Sequence, residues 1–221
     1  MEKGAVFKVA IDGPSGVGKS TVALRVAEKL DALYIDTGAM YRAVAVGADM
    51  AGIGLGDEEV LNDFLSTMEL GFNGDRIALN GVDFTEKIRE PRASELASIY
   101  SSISIVRARL VEIQKELAAS ADRVVMEGRD IGTVVLIDAD IKFFLTASVE
   151  VRTQRRVHDE KSLCKETKED VDSAMRLRDL RDKTRKDSPL KKAPDAVEVD
   201  TAGLNIEGVV DIMLNLIEER F

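Results

Sequence analysis

Cysteine is almost missing from this chain of 221 residues: Cys164 stands alone, so no internal disulfide can form. Histidine is as rare. His158 is the single one, it has no serine or cysteine partner at a recognisable spacing, and it reads, like Cys164, as a solvated polar residue. No Cys/His cluster has zinc spacing. Proline is scarce, and there is no repeat or low-complexity tract. No run approaches the roughly 18 consecutive apolar residues of a membrane span. The first eight residues lead into a strand without a signal peptide's long apolar region, so a cytoplasmic location is expected. Positive charge is in the minority too. The net charge is −9, which argues against a nucleic-acid partner, because that role needs a basic face. The length and the 45% hydrophobic content suit one domain, or one core with an inserted subdomain.

What is present is concentrated first at Asp12–Thr21. Gly13, Gly18, Lys19 and Ser20 fit G-x-x-x-x-G-K-[ST]. An apolar strand (6–11) precedes the motif, and a helix with Val22, Val26, Ala27 and Leu30 at helical spacing follows it. Glycines at 13, 16 and 18 let successive N–H groups turn inward as an anion nest, and the helix adds its positive end. The whole loop, Gly13, Pro14, Ser15, Gly16, Val17, Gly18, Lys19, Ser20 and Thr21, is expected to hold a nucleoside triphosphate. Lys19 meets the outer phosphates and Ser20 offers its hydroxyl to Mg²⁺.

Further strands are expected at 33–35, 123–126, 141–145 and 197–200. Helices alternate with them, which implies a parallel sheet with right-handed crossovers. Residues 47–90 differ. A short helix after Asp57 is followed by apolar runs split by Asn73-Gly74 and Asn80-Gly81, which predicts an antiparallel meander as a small inserted subdomain. Polar groups gather after strand ends, where an open α/β sheet has its ligand crevice. Asp36-Thr37 reads as a helix cap, with Thr37 the capping residue, or as part of that crevice along with Arg42. Glu127-Gly128-Arg129-Asp130 is a crevice turn or a surface turn with an Arg–Asp pair. Ser98 and Arg107 flank a possible turn between two helical pieces. Ser148 is the expected cap of a helix carrying Arg152, Arg155 and Arg156. Arg178, Asp182 and Arg185 share one helix side, suiting a phosphate and a sugar hydroxyl, or equally an i,i+4 ion pair. Arginine is planar, permanently charged and bidentate toward phosphate. An acidic chain with a phosphate loop and this arginine set reads as a kinase for a small anionic acceptor.

The motifs I-D-G-P-S-G-V-G-K-S-T (11–21), D-T-G-A-M-Y-R (36–42), L-N-G-V-D-F-T-E-K-I-R (79–89), E-G-R-D-I-G-T-V-V (127–135) and R-x-x-x-D-x-x-R (178–185) span nearly the whole chain. Together they make it resemble the bacterial cytidylate kinases. The resemblance implies a P-loop NTPase fold: a three-layer α/β/α arrangement on a five-stranded parallel sheet, with an NMP-binding insert and a short lid. The expected division is a core of residues 1–46, 105–150 and 190–221, an insert of about 47–104 and a lid of about 151–186. It implies transfer of the ATP γ-phosphoryl group to CMP or dCMP with Mg²⁺. Arg42, Arg129 and Arg185 would hold the acceptor phosphate, and Ser98, Arg107 and Asp130 would read cytosine. Arg178 and Asp182 would meet the sugar, and Thr37 the base or phosphate. Arg155, with Arg152 and Arg156 beside it, would close onto the moving phosphate, so that Lys19, Arg129, Arg155 and Arg185 form the catalytic set. A monomer is expected. Kinases for another nucleoside monophosphate, for shikimate or for dephospho-coenzyme A are the nearest alternatives. A GTPase switch lacks its N-K-x-D reader here, and a passive ATP-binding module needs no arginines after several strands.

Overall fold

The computed structural model describes residues 6–73, 76–158 and 167–220. Cys164 and Gly74 of the first expected turn lie outside the described residues. In chain order the elements are β1 (Phe7–Asp12), α1 (Lys19–Leu30), β2 (Leu33–Asp36), α2 (Thr37–Met50), α3 (Glu58–Thr67), β3 (Leu70–Asn73), β4 (Arg76–Leu79) and β5 (Val82–Asp83). A 3₁₀ turn (Lys87–Arg89), α4 (Pro91–Tyr100), α5 (Ser104–Ala119) and β6 (Arg123–Gly128) follow. A wide π-type turn (Ile131–Val135), β7 (Ile141–Thr146), α6 (Val149–Val157), α7 (Lys168–Thr184), β8 (Val197–Asp200) and α8 (Ile206–Glu218) complete the order.

The expected five-stranded parallel sheet is there, in the order β2-β6-β1-β7-β8. β1 is central, and Phe7, Val9, Ala10 and Ile11 are fully buried. Side chains alternate across a strand, so each sheet face receives its own apolar set. Val125 of β6, with Phe7, Val9 and Ile11 of β1, packs under α1 and α8. Val124 and Met126, with Ala10, pack under α2 and α5. Three layers result, as the alternation of elements predicts. Fully burying a side chain such as Leu110 or Met213 stabilises by about 1.5–3 kcal/mol. No helix among the described residues is long and apolar enough to cross a membrane.

The meander forms a separate three-stranded antiparallel sheet in the order β3-β4-β5. Asn80, at φ 50, enters the left-handed region that a two-residue hairpin turn demands, and Leu79 pairs with Val82 across it. The insert is not detached from the core. Ile77, Leu79, Phe84 and Ile88 join the same apolar cluster as α2 and α5. Gly47 of α2 makes that contact possible, since a Cβ there would sit 2.3 Å from Leu79 Cδ2. The turn expected between Ser98 and Arg107 is there, between the end of α4 and the start of α5. Pro91 at the first helical position starts α4, because its missing N–H costs nothing there.

Candidate active site

The carboxyl ends of β1, β2 and β6 open on one crevice of about 300 Å³. Its floor is the loop between β1 and α1. Gly13 passes so close to β7 that a Cβ would stand 2.3 Å from the Leu145 carbonyl oxygen. Gly18 takes φ 92 and ends the loop at the start of α1. Lys19 is buried and its Nζ donates to the Pro14 carbonyl oxygen at 2.7 Å. Burial, with Arg129 nearby, brings its ammonium down to about 7, against the pull of Glu127. Ser20 donates to Glu127 Oε1 at 2.5 Å. Burial pushes the Glu127 carboxyl up, helped by the charge of Asp36.

Asp36, at the end of β2, is the residue that caps α2: its Oδ1 accepts from Ala39 N at 2.8 Å. This corrects the expectation of Thr37 as cap. The Thr37 hydroxyl instead donates to the Glu127 carbonyl oxygen at 2.8 Å, fastening α2 to β6. Gly128 leaves room for it, since a Cβ there would lie 2.6 Å from Thr37 Oγ1. Arg42 faces the crevice and pairs with Asp36 at 3.2 Å.

Arg129 and Asp130 are neither on the surface nor paired with each other. Arg129 reaches across to Asp182 at 2.9 Å. Asp130 is gripped by Arg107 at 2.5 Å and approached by Arg185 at 3.4 Å. Arg185 also comes within 4.0 Å of Asp182. The α7 stripe therefore works through residues outside α7, and no Arg178–Asp182 ion pair forms. Burial tends to raise the Asp182 carboxyl, but Arg129 and Arg178 hold it below the usual carboxylate range. Arg178 lines the crevice with its Nε buried and without a partner, and burial, together with Arg129, brings its guanidinium down to about 10. Six cations against four carboxylates line this crevice, in a chain of net charge −9. Local sign is inverted where an anion is to be drawn in.

Arg107, Ser98 and Arg155 stand apart from the crevice lining. Arg107 lies behind Asp130, stacked over the Tyr41 ring at 5.6 Å. Ser98 lines a neighbouring cleft of about 530 Å³ between α4 and α7, its buried Oγ unpartnered. Arg155 does not point at the phosphate floor. It donates to the Thr201 hydroxyl at 2.9 Å and to the Val17 carbonyl at 3.3 Å, on the wall of a third hollow of about 720 Å³ behind the loop. Arg156, one residue on, lines all three cavities. Arg152 is a buried clamp: it pairs with Asp179 at 2.6 Å and donates to the Ser15 carbonyl at 3.0 Å, tying α6 and α7 to the loop. His158 is exposed, with Nδ1 2.8 Å from its own helix's Gln154 carbonyl oxygen.

The sheet order and the loop between β1 and α1 define a P-loop phosphotransferase with an acceptor crevice beside the donor loop. Comparison with known proteins carries this further. A model of the family described as cytidylate kinase matches residues 9–219. A cytidylate kinase from Clostridium tetani is 49% identical over 212 residues, covering 95% of this chain and 93% of that protein. One from Thermotoga sp. (strain RQ2) is 44% identical over 216 residues, covering 97% and 98%. The chain belongs to the cytidylate kinase family. A crystal structure of an uncharacterized protein from Eubacterium ventriosum aligns with a TM-score of 0.52 at 14% identity, covering 96% of this chain and 98% of that one, and supports the fold alone.

Proposed function

We propose that this protein moves the γ-phosphoryl group of ATP to the phosphate of CMP or dCMP. A phosphate oxygen of the acceptor bonds to the γ-phosphorus, the bond to the β,γ-bridging oxygen breaks, and ADP and CDP (or dCDP) leave. The observation that carries this reading is that the donor loop and the Asp130–Arg185 pair, backed by Arg107 behind Asp130, meet at one crevice. Lys19 then leaves the Pro14 carbonyl for the β- and γ-phosphates. Arg42, Arg129 and Arg185 hold the acceptor phosphate, and Arg129 and Arg185 also follow the charge on the moving group. Arg178 and Asp182 take the sugar. Asp130, Arg107 and Ser98 read the base, with Thr37 beside it. Arg155 takes the wall of the hollow behind the loop, which suits the adenine of ATP, and Arg156 takes the closing role toward the phosphates.

A divalent cation fits the donor side. The Ser20 hydroxyl and the carboxylates of Glu127 and Asp36 are hard oxygen donors at the phosphate floor. So few protein oxygens suit Mg²⁺ shared with phosphate and water. It would neutralise charge on the β- and γ-phosphates. The core, insert and lid divide at about residues 47, 104, 151 and 186, and the lid closes over both nucleotides to exclude water. The enzyme works in the cytoplasm as a monomer, since one chain completes the crevice. A coupled ADP-release assay with CMP, dCMP, UMP, AMP and shikimate in parallel tests this. CMP and dCMP should be far ahead of the others. Equal turnover of UMP or shikimate would overturn it.

A further inference from the structure

Asp12 ends β1 and immediately precedes the phosphate loop, yet it makes no bond to that loop. Its two carboxylate oxygens point sideways: Oδ1 accepts from Ile131 N and Oδ2 from Gly132 N, both at 2.8 Å. These are the first two amides after Asp130, at the start of the wide turn over Ile131–Val135. Asp12 is 4% exposed and has no ion-pair partner among the described residues; burial pushes its carboxyl up to about 6, and the two amides, with Lys19 nearby, offset only part of that cost. The fit is close. A Cβ on Gly132 would come within 3.4 Å of Asp12 Oδ2 and 3.0 Å of Lys142 Cδ. The Asp130 backbone (φ −145, ψ 24) is irregular, and its carbonyl accepts from both Val134 and Val135. The direction of the Asp130 side chain toward Arg107 and Arg185 is therefore set by a turn whose entry is held by one carboxylate.

We infer that Asp12 is a positioning residue for acceptor selection: it fixes the turn that aims Asp130, and it does so from the last residue of β1, directly before the donor loop. The inference rests on the reading of Asp130 as the cytosine reader. It also accounts for the Asp-Ile-Gly order at 130–132, where the glycine allows both amides to meet one carboxyl.

Asp12→Asn tests it. The amide keeps one acceptor oxygen and turns an NH₂ toward a backbone N–H, so one of the two bonds is lost at nearly constant volume. The expected result is a KM for CMP raised about tenfold and a CMP/UMP ratio of kcat/KM narrowed about tenfold, with the KM for ATP within about twofold of wild type. A general loosening of the loop would raise both KM values together and leave base choice unchanged. That outcome in a folded protein overturns the inference. Gly132→Ala, which crowds the same contact from the other side, should give the same pattern if Asp12→Asn fails to fold. Combination with Asp130→Asn separates the two readings. If Asp130→Asn alone narrows the ratio, Asp12→Asn should add nothing further in that background. Additive losses would overturn the positioning role. An unchanged ratio in Asp130→Asn alone would instead remove the base-reading role on which the inference stands.

Discussion

The two halves of the crevice, donor and acceptor in the proposed function, are built from different materials. The donor half is mainly backbone: a glycine loop on β1 and α1, over the apolar layer shared with α8. Its loop lysine, Lys19, is parked on a carbonyl of the same loop. The acceptor half is side chain against side chain, with Arg107, Asp130, Arg185, Asp182 and Arg129 joined in one chain of ion pairs drawn from α5, the 129–130 turn and the end of α7. A backbone nest is ready for any phosphate. A network of mutually paired ions holds its shape while empty and accepts only a ligand whose polarity can replace the internal partners. On the proposed function, tightness on one side and choosiness on the other follow from that difference.

Removing the charge of the donor half gives the largest expected effect. Lys19→Ala should lower kcat by roughly 10²–10³ while the fold survives, because the lysine follows charge on the leaving phosphates. Base choice should stay as in wild type, since the acceptor network is untouched. Near-normal turnover by a folded variant would erase the contrast between the halves. Asp130→Asn attacks the other side. Cytosine offers an amino donor at position 4 and an acceptor at N3, and uracil reverses both. Sites of buried hydrogen-bonding groups can reject such a mismatch by roughly 10⁴–10⁵. An amide at 130 can donate to uracil O4, so CMP activity should fall and the CMP/UMP ratio in kcat/KM should narrow by about a hundredfold. An unchanged ratio would reduce Asp130 to a structural partner of Arg107.

How legible each half is in the sequence follows from the same difference. The donor loop is a continuous run whose glycine spacing states its own geometry, and strand, loop and helix all stand where periodicity puts them. The acceptor half is scattered over 36–42, 98–107, 127–132 and 178–185. Its members can be named one by one, but their pairing is tertiary. Helical spacing puts Asp182 beside Arg178, whereas the fold gives it Arg129 from the end of β6. Thr37 has the side chain of a cap, but Asp36 stands one residue nearer the strand and takes the role. Arg155 and Arg156 are adjacent on one helix and therefore about 100° apart around it, and spacing alone does not say which faces the phosphates. Asp12 leaves no local signal of its sideways bonds. The positions that did carry one are the glycines: Gly128 and Gly132 are where Thr37 and Asp12 approach too closely for a Cβ.

The two lid arginines offer a smaller test of where donor and acceptor halves meet. Arg156→Ala should lower kcat by about tenfold to a hundredfold, as expected when a charged hydrogen-bond donor to a phosphate is removed. Arg155→Ala should act mainly on the KM for ATP, because its guanidinium holds Thr201 and the Val17 carbonyl beside the hollow behind the loop. Steady-state kinetics on both variants decides between them. The reverse pattern would mean that Arg155 lets go of Thr201 and swings onto the transferring group when the lid closes.

The smallest effect is a proton. In the empty enzyme burial and Arg129 bring Lys19 to about 7, whereas an ordinary lysine titrates near 10.5. Between those two values the unfolded chain holds a proton that the folded enzyme has released, so this residue makes stability rise with pH across that window. The penalty is fully present below about 7 and fades as pH approaches 10.5. Triphosphate in the loop surrounds Lys19 with negative charge and favours its protonated form. Binding at pH 8 should therefore take up close to one proton, while the acceptor half, whose arginines stay protonated, contributes none when CMP binds. Calorimetry of ATP and of CMP binding in two buffers of different ionisation enthalpy reads this directly. Lys19→Met should abolish the uptake with ATP. Equal proton uptake with both nucleotides in the wild type would show that the ionisable centre is not confined to the donor loop, and the division between a charge-switching donor half and a fixed-charge acceptor half would fall.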